Sequence, residues 1–352
     1  KGFRFFIFWR FKMTELAQGY RGLFGFGKQT EIDTGVAATA FQTIYPSVSL
    51  QENRPGRTRF VGIRRDQNYQ HSTKGPINVA GSVSGPLIPD EAFHGIVLAA
   101  LLGNNNSVSG SATVGYTHVL SQPTPTTTAN YPAAGATLEL NLGSSGVTLH
   151  RDFIGCFLSK YQISGKENGP VDVVTDWVGR SQTDGDTVAS ATYSSVPAFE
   201  PYMATLSIGA SLASMSTVEI TDFNIAISNG VKMLVSHATR YPIDRAFGLI
   251  DAILEFGMYL REDLTIYNYF KNETEMAVKL VLTHTTLAGS SSGYHTLQFE
   301  FPRVIFIGDP PNLNNTDEIK HSVKMQAMKG TGSDLFTVKI TAINSQSGTY
   351  AV

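Results

Sequence analysis

Three patterns in this 352-residue chain could carry chemistry. Gly22-Leu-Phe-Gly-Phe-Gly27-Lys28-Gln29-Thr30 comes close to a phosphate-cradling loop, but that loop needs a Ser or Thr hydroxyl directly after the lysine, and Gln29 stands there. Thr30 to Thr39 is also rich in Gly, Asp and Thr, unlike a helix whose N-terminus could take phosphate. Two acidic pairs, Asp90/Glu91 and Glu262/Asp263, could serve as acid and base. Each stands just before an apolar helical stripe, where carboxylates suit the helix dipole and its unpaired N–H groups, so they read as capping residues. The eight histidines are scattered, with no His-Glu-x-x-His, Gly-x-Ser-x-Gly or calcium-loop spacing, and His94 and His321 read as structural. Cys156, the single cysteine, rules out an internal disulfide and sits among Phe153, Ile154, Phe157 and Leu158, as a buried inert thiol would. No catalytic residue, metal or cofactor is expected.

Charge is informative in a different way. A net charge of −2 and a pI near 6.5 argue against a protein that grips nucleic acid by neutralising phosphates. Arg54, Arg57, Arg59, Arg64, Arg65 and Lys74 nevertheless crowd one long loop against Glu52 and Asp66, and a milder loop from Asn229 to Asp244 carries Lys232 and Arg240. Such a run is either a solvated face or a set of bidentate contacts to carboxylates on a partner protein. At the N-terminus, Phe3, Phe5, Phe6, Ile7, Phe8, Trp9 and Phe11 are studded with Lys1, Arg4, Arg10 and Lys12; the stretch reads as a leader or as an arm that docks on a neighbouring subunit. Its uninterrupted apolar run is too short to span a membrane.

The elements that position these residues are mostly strands. Ile77, Val79, Val83 and Leu87 alternate with small polar residues, and a short one-sided helix then runs from Phe93 to Gly103. The same grammar returns over Ile250 to Leu260, with a second short helix from Glu262 to Asn272. Thr137 to Leu142 is echoed by Thr296 to Phe301, and Val171 to Trp177 by Ile319 to Met325. The spacing between echoes shrinks from 171 to 159 to 148 residues, which predicts a duplicated all-β unit with longer loops in the first copy. Polar connections are expected at Asn104 to Ser111, Ser121 to Pro132 and Ser181 to Ser195. The expected division is an N-terminal arm at 1–27, a first β domain at 28–185 and a second at 186–352.

The order of these motifs resembles the tail tube (major tail) proteins of long-tailed bacteriophages. Gly25-Phe-Gly-Lys-Gln-Thr-Glu-Ile-Asp-Thr-Gly-Val-Ala37 is similar to the family's N-terminal signature. The strand, acidic pair and helix ending at Gly103 follow, then Phe153 to Gly165, Val171 to Gly179 and Tyr193 to Pro201. The resemblance implies a mainly β, duplicated tail-tube β-sandwich or barrel with one short helix per copy, in a structural protein of the virion. Copies would assemble into rings stacked as a tube that passes DNA into the host. Its implied partners are other copies of itself, the tape measure protein, and tail terminator and tip proteins. DNA would be met only in transit, with no membrane.

Duplication then predicts a trimeric ring with pseudo-sixfold symmetry, a hexamer being the alternative. The arginine-rich loop and Asn229 to Asp244 are expected at contacts between subunits or rings. A lumen through which DNA slides should be lined by carboxylates and small polar groups. Asp251 and Glu255, which correspond at the 171-residue spacing to Ala80 and Ser84, are the first candidates, with Ser82, Ser84, Asp172 and Asp176 beside them. Outward-facing or interface-paired carboxylates are the competing expectation. A host-binding adhesin or carbohydrate-binding β-sandwich is the alternative function; it calls for exposed aromatics or a metal at loop tips.

Overall fold

The computed structural model describes residues 23–42, 47–54, 58–60, 71–103, 106–122, 135–144, 147–184, 191, 193–259, 268–269, 271–307, 320–332 and 334–350. In chain order the strands are β1 (Leu23–Lys28), β2 (Ala40–Phe41), β3 (Ser47–Val48), β4 (Gln51–Asn53), β5 (Thr58–Phe60), β6 (His71–Thr73) and β7 (Asn78–Pro86). Helix α1 (Ala92–Leu102) follows, then β8 (Asn106–Ser111), β9 (Gly115–Ser121), β10 (Ala136–Ser144), β11 (Val147–Gly165), β12 (Asp172–Gly179) and β13 (Ser181–Asp184). The second half holds β14 (Ala204–Ser211), β15 (Ser214–Val218), β16 (Asp222–Ser228), β17 (Lys232–Leu234), β18 (Asp244–Ala246) and β19 (Asp251–Tyr259). It ends with β20 (Met276–Leu287), β21 (Tyr294–Phe306), β22 (Lys320–Met328) and β23 (Lys339–Asn344).

Every pairing is antiparallel, and the ladders resolve into a long inner sheet with two outer sheets. The inner one runs β3/β4, β7, β12, β11, β16, β19, β22, β21. The first outer sheet is β2, β1, β10, β11, β13. The second is β15, β14, β20, β21, β23, β9, β8. Two hairpins, β5–β6 and β17–β18, stand apart as arms. The sheet does not close on itself, so this is a mainly β, open sandwich rather than a barrel.

Strict alternation explains why the layers stack. In β12, Val173, Thr175 and Trp177 are buried while Asp172, Val174 and Asp176 are not. Trp177 meets Phe26 of the first outer sheet with ring centroids 6.3 Å apart, and its indole N–H is satisfied by Thr175 Oγ1 at 2.9 Å. Leu206, Leu280 and Phe299 of the second outer sheet share one buried cluster with Leu254, Phe256 and Met325 of the inner sheet.

β11 and β21 each belong to two layers. The first half of β11 pairs with β10 and β13, and its second half with β12 and β16. A register shift at Leu158/Lys160 and Gly155, at φ +65, let the strand turn from one layer to the other. A Cβ on Gly155 would stand 2.6 Å from the Ile32 carbonyl oxygen. In β21 the shift on its ladder with β20 falls beside Pro302, which has no N–H to offer.

Several expectations are corrected. The Gly-rich segment, already read as no phosphate loop, holds strand β1, Leu23–Lys28, with Phe24 and Phe26 wholly buried. Helix α1 is not one-sided: every residue from Val97 to Leu102 is buried, where the helix packs against β2, β9 and β11. Glu91 makes no side-chain cap; it is buried against His94 at 3.2 Å, and Asp90 Oδ1 instead accepts from Ser345 N–H at 3.0 Å and from its hydroxyl. Asn104 to Ser111, expected as a connection, contains strand β8. Its Ser, Gly and Asn residues suit a strand that, among the described residues, pairs on one side only, with β9. Of the second helix, Asn268, Tyr269 and Lys271 are helical, and the Asn272 N–H meets the Asn268 carbonyl oxygen; the rest lies outside the described residues. So does the N-terminal stretch through 22.

Candidate functional site

The inner sheet has one apolar and one polar face, and the polar face gathers every proposed lumen residue. Opposite neighbours can be followed across all eight strand positions in one row: Ser47, Ser84, Val174, Gln162, Ala226, Ile253, Gln326 and Ile305. On one side of it runs the row Ser82, Asp176, Lys160, Ser228, Asp251. On the other runs Pro86, Asp172, Ser164, Asn224, Glu255, Lys324. The row behind them, Val83, Thr175, Tyr161, Ile227 and Ala252, is buried throughout and fixes which way the polar set must face.

Two lysines that sequence reasoning passed over sit among these carboxylates. Lys324 lies 2.8 Å from Glu255, and Asn224 Nδ2 donates to the same carboxylate at 3.2 Å. The Lys324 contact, followed by Asn224, holds the Glu255 carboxyl below its usual range. Lys160 stands directly opposite Asp176 and donates to Gln162 Oε1 at 2.8 Å. Gln326 donates to Asp251 Oδ1 at 3.1 Å. The parity of β11 and β22 would have found both lysines: Lys160 alternates in step with Gln162 and Ser164, and Lys324 with Ser322 and Gln326. Asp222 on β16, Arg303 on β21 and Lys320 on β22 fall on the same face by register, so five carboxylates share it with four cations and its balance is slightly acidic and largely neutralised in place.

The expected contact loops are only partly described. Arg54 pairs with Glu52 at 2.6 Å within the chain, and Lys74 is exposed. Arg57, Arg64 and Arg65 lie outside the described residues, and Arg59 is placed only as part of β5. Lys232 is exposed on β17. Arg240 is engaged inside the chain, its Nε donating to the Gly75 carbonyl oxygen at 3.2 Å while its own carbonyl accepts from Ile77 N–H at 2.7 Å. The second arm therefore rests on the base of the first. Around that arm, Val235, Ile243 and Leu249 are exposed, Leu249 by 90%.

The fold and this surface define a class: an open antiparallel β-sandwich whose long inner sheet is apolar on one side and polar on the other. Residues 19–327 match the phage tail tube protein family, and the chain belongs to it. No curated protein matches the chain. Among the described residues no helix is long and apolar enough to cross a membrane. Membership of the family makes this a structural component of the virion tail that assembles with itself.

Proposed function

We propose that the chain is a duplicated tail tube subunit, three copies of which close a ring whose channel is lined by the polar face of the inner sheet. The observation that carries this reading is the ladder between β11 and β16. Around β7 the pairings are β3/β4–β7, β7–β12, β12–β11, β11–β13, β11–β10, β10–β1 and β1–β2. Around β19 the corresponding ladders are β16–β19, β19–β22, β22–β21, β21–β23, β21–β20, β20–β14 and β14–β15. In this correspondence β16 takes the place of β3/β4, and β21 that of β11. The echo of Thr137 to Leu142 in Thr296 to Phe301 falls on strands that do not correspond, because alternating strands resemble one another whatever their place; the other two echoes fall on strands that do.

The β11–β16 ladder thus joins the two halves within one chain, and the same join remains open at the chain's extremes. The end of β21 offers an edge and β3/β4 offers its complement. Joined head to tail, such heterologous edges generate a ring, and a duplicated chain needs half as many copies as a single-domain one. Asp251, Glu255, Asp172, Asp176, Ser82 and Ser84 then face the channel, where a slightly acidic, largely neutralised wall lets DNA slide without pairing to it. The tape measure protein would occupy the channel before DNA, and terminator and tip proteins would cap the tube, which is built in the host cytoplasm.

With β7 and β19 aligned at the 171-residue spacing, carrying the β11–β16 register to the open edges sets Ile305 opposite Gln51 of the next subunit. The Ile305→Cys/Gln51→Cys double variant, oxidised and run without reductant, should give a closed band of three chains and nothing larger. A closed six-chain band would replace the trimer by a hexamer. Absence of any intermolecular link in assembled material would overturn the junction.

A further inference from the structure

The first outer sheet holds a cluster that the tube reading leaves unused. Glu139 and Asn141 on β10 stand directly opposite Asp152 and His150 on β11, so all four share one face of that hairpin. His150, Glu139 and Asn141 are buried. His150 Nε2 lies 3.2 Å from Glu139 Oε1 and 3.2 Å from Asp152 Oδ1, yet among the described residues neither His150 nitrogen forms a hydrogen bond, and the buried Asn141 side-chain oxygen has none there either. The three donor atoms lie within 4.8 Å of one another.

We propose that Glu139, His150 and Asp152 form a binding site for a borderline divalent cation such as zinc or cobalt, with the Asn141 amide oxygen as a further donor. The separation supports this. Bonds of about 2.1 Å from nitrogen and oxygen donors put adjacent ligand atoms roughly 3.0 Å apart in an octahedron and 3.4 Å in a tetrahedron, and 3.2 Å lies between. Charge agrees too. Two carboxylates share one imidazole nitrogen, whose single N–H could serve only one of them, whereas a dication neutralises both. A nitrogen and carboxylate set of this kind favours zinc, cobalt or manganese over calcium.

The surroundings resemble the outer shell of a structural metal site. Glu139 Oε2 accepts from the Ala38 N–H at 3.1 Å, which leaves Oε1 turned to His150 and fixes the carboxylate's plane. The strap from Val36 to Phe41 lies over this face: Val36 N–H donates to Thr137 Oγ1 at 2.9 Å, and a Cβ on Gly25 would meet Ala38 and the Phe41 ring within 2.8 Å. Asp152, with a quarter of its side chain exposed, is the side from which an ion could enter. A bound ion would tie the β10–β11 hairpin to the strap through Glu139.

The test uses the full-length protein stripped with EDTA, passed into chelator-free buffer and titrated with cobalt(II) and, separately, zinc(II). One cobalt per chain should bind, with visible d–d absorption that zinc displaces, and zinc should raise Tm by several degrees. The His150→Gln variant should lose the absorption, and Asp152→Asn, at the more open side, should weaken binding at least tenfold while keeping the far-UV circular dichroism of the parent. Equal binding by parent and Asp152→Asn, or no saturable cobalt spectrum in the parent, would overturn the site. A folded Asp152→Asn protein keeps the comparison decisive even if His150→Gln fails to fold.

Discussion

At the scale of residues, the inner sheet separates groups that hold the fold from groups that set the surface. Trp177 fills the seam between layers, so Trp177→Ala should cost about 3–5 kcal/mol, measured by denaturant unfolding. Gly81 holds φ at +154, and a Cβ there would stand 2.6 Å from the Ser49 carbonyl oxygen. Gly81→Ala should therefore loosen the β4 edge and destabilise by about 1–3 kcal/mol. Ring formation, followed by sedimentation, should fall more steeply than stability, because that edge is one half of the proposed junction. Glu255 and Lys324 are each more than a third exposed, and their pair should contribute only about 0.2–1 kcal/mol. Their proposed role is in the channel wall. Phage carrying Asp251→Lys and Glu255→Lys should eject DNA more slowly than the parent at low salt, with the gap narrowing as salt is raised; equal rates at low salt would remove these residues from the channel wall.

Elements were legible to different degrees, for physical reasons. β7, β12, β19 and β22 were readable because one face of each is core and the other is not, so alternation survives in the sequence. The same parity pairs Asp251 with Glu255 and Asp172 with Asp176, while the register through β11 and β16 is what brings the two pairs onto one surface. β8 escaped notice because both its faces are largely polar. α1 was found, but its environment was misjudged: a helix buried against β2, β9 and β11 loses the stripe that marks a surface helix. The pairing of Glu139 with His150 and Asp152 had no sequence signal, since cross-strand register between β10 and β11 is what unites them.

The second outer sheet carries a consequence for pH. Burial, the leading cause in each case, lowers the pKa of His118, His284 and His295 below 6.5, against opposing help from the Gln346 carbonyl at His118 and from Asp90 at His295. Unfolded chains then bind more protons than folded ones just below that value. Stability should be full above about pH 6.5 and decline as pH falls, and Tm across pH 5 to 8 should show this slope. The arms make a separate prediction: Val235→Asp with Leu249→Asp should leave rings intact in negative-stain images but prevent their stacking.

For the whole molecule, the proposed duplication, with its halves unlike in sequence, predicts a wall that is threefold in charge though nearly sixfold in shape. By the 171-residue spacing, Glu255 and Asp251 in one half answer to Ser84 and Ala80 in the other. A reconstruction of the tube should show pseudo-sixfold density that averages cleanly only under threefold symmetry; true sixfold rings of full-length chains would refute the arrangement.

The two strands that belong to both layers also decide how such a wall would bear load. In the proposed ring the strands would follow one another around the channel, so its swelling would pull across their ladders, the direction in which a sheet opens bond by bond. Val147–Gly165 and Tyr294–Phe306 run unbroken from the liner into the jacket. The liner cannot part at these points without bending a covalent chain out of the outer sheet as well. The wall would then act as two laminated hoops riveted six times per ring, stiff against pressure from within, while bending is left to the joints between rings.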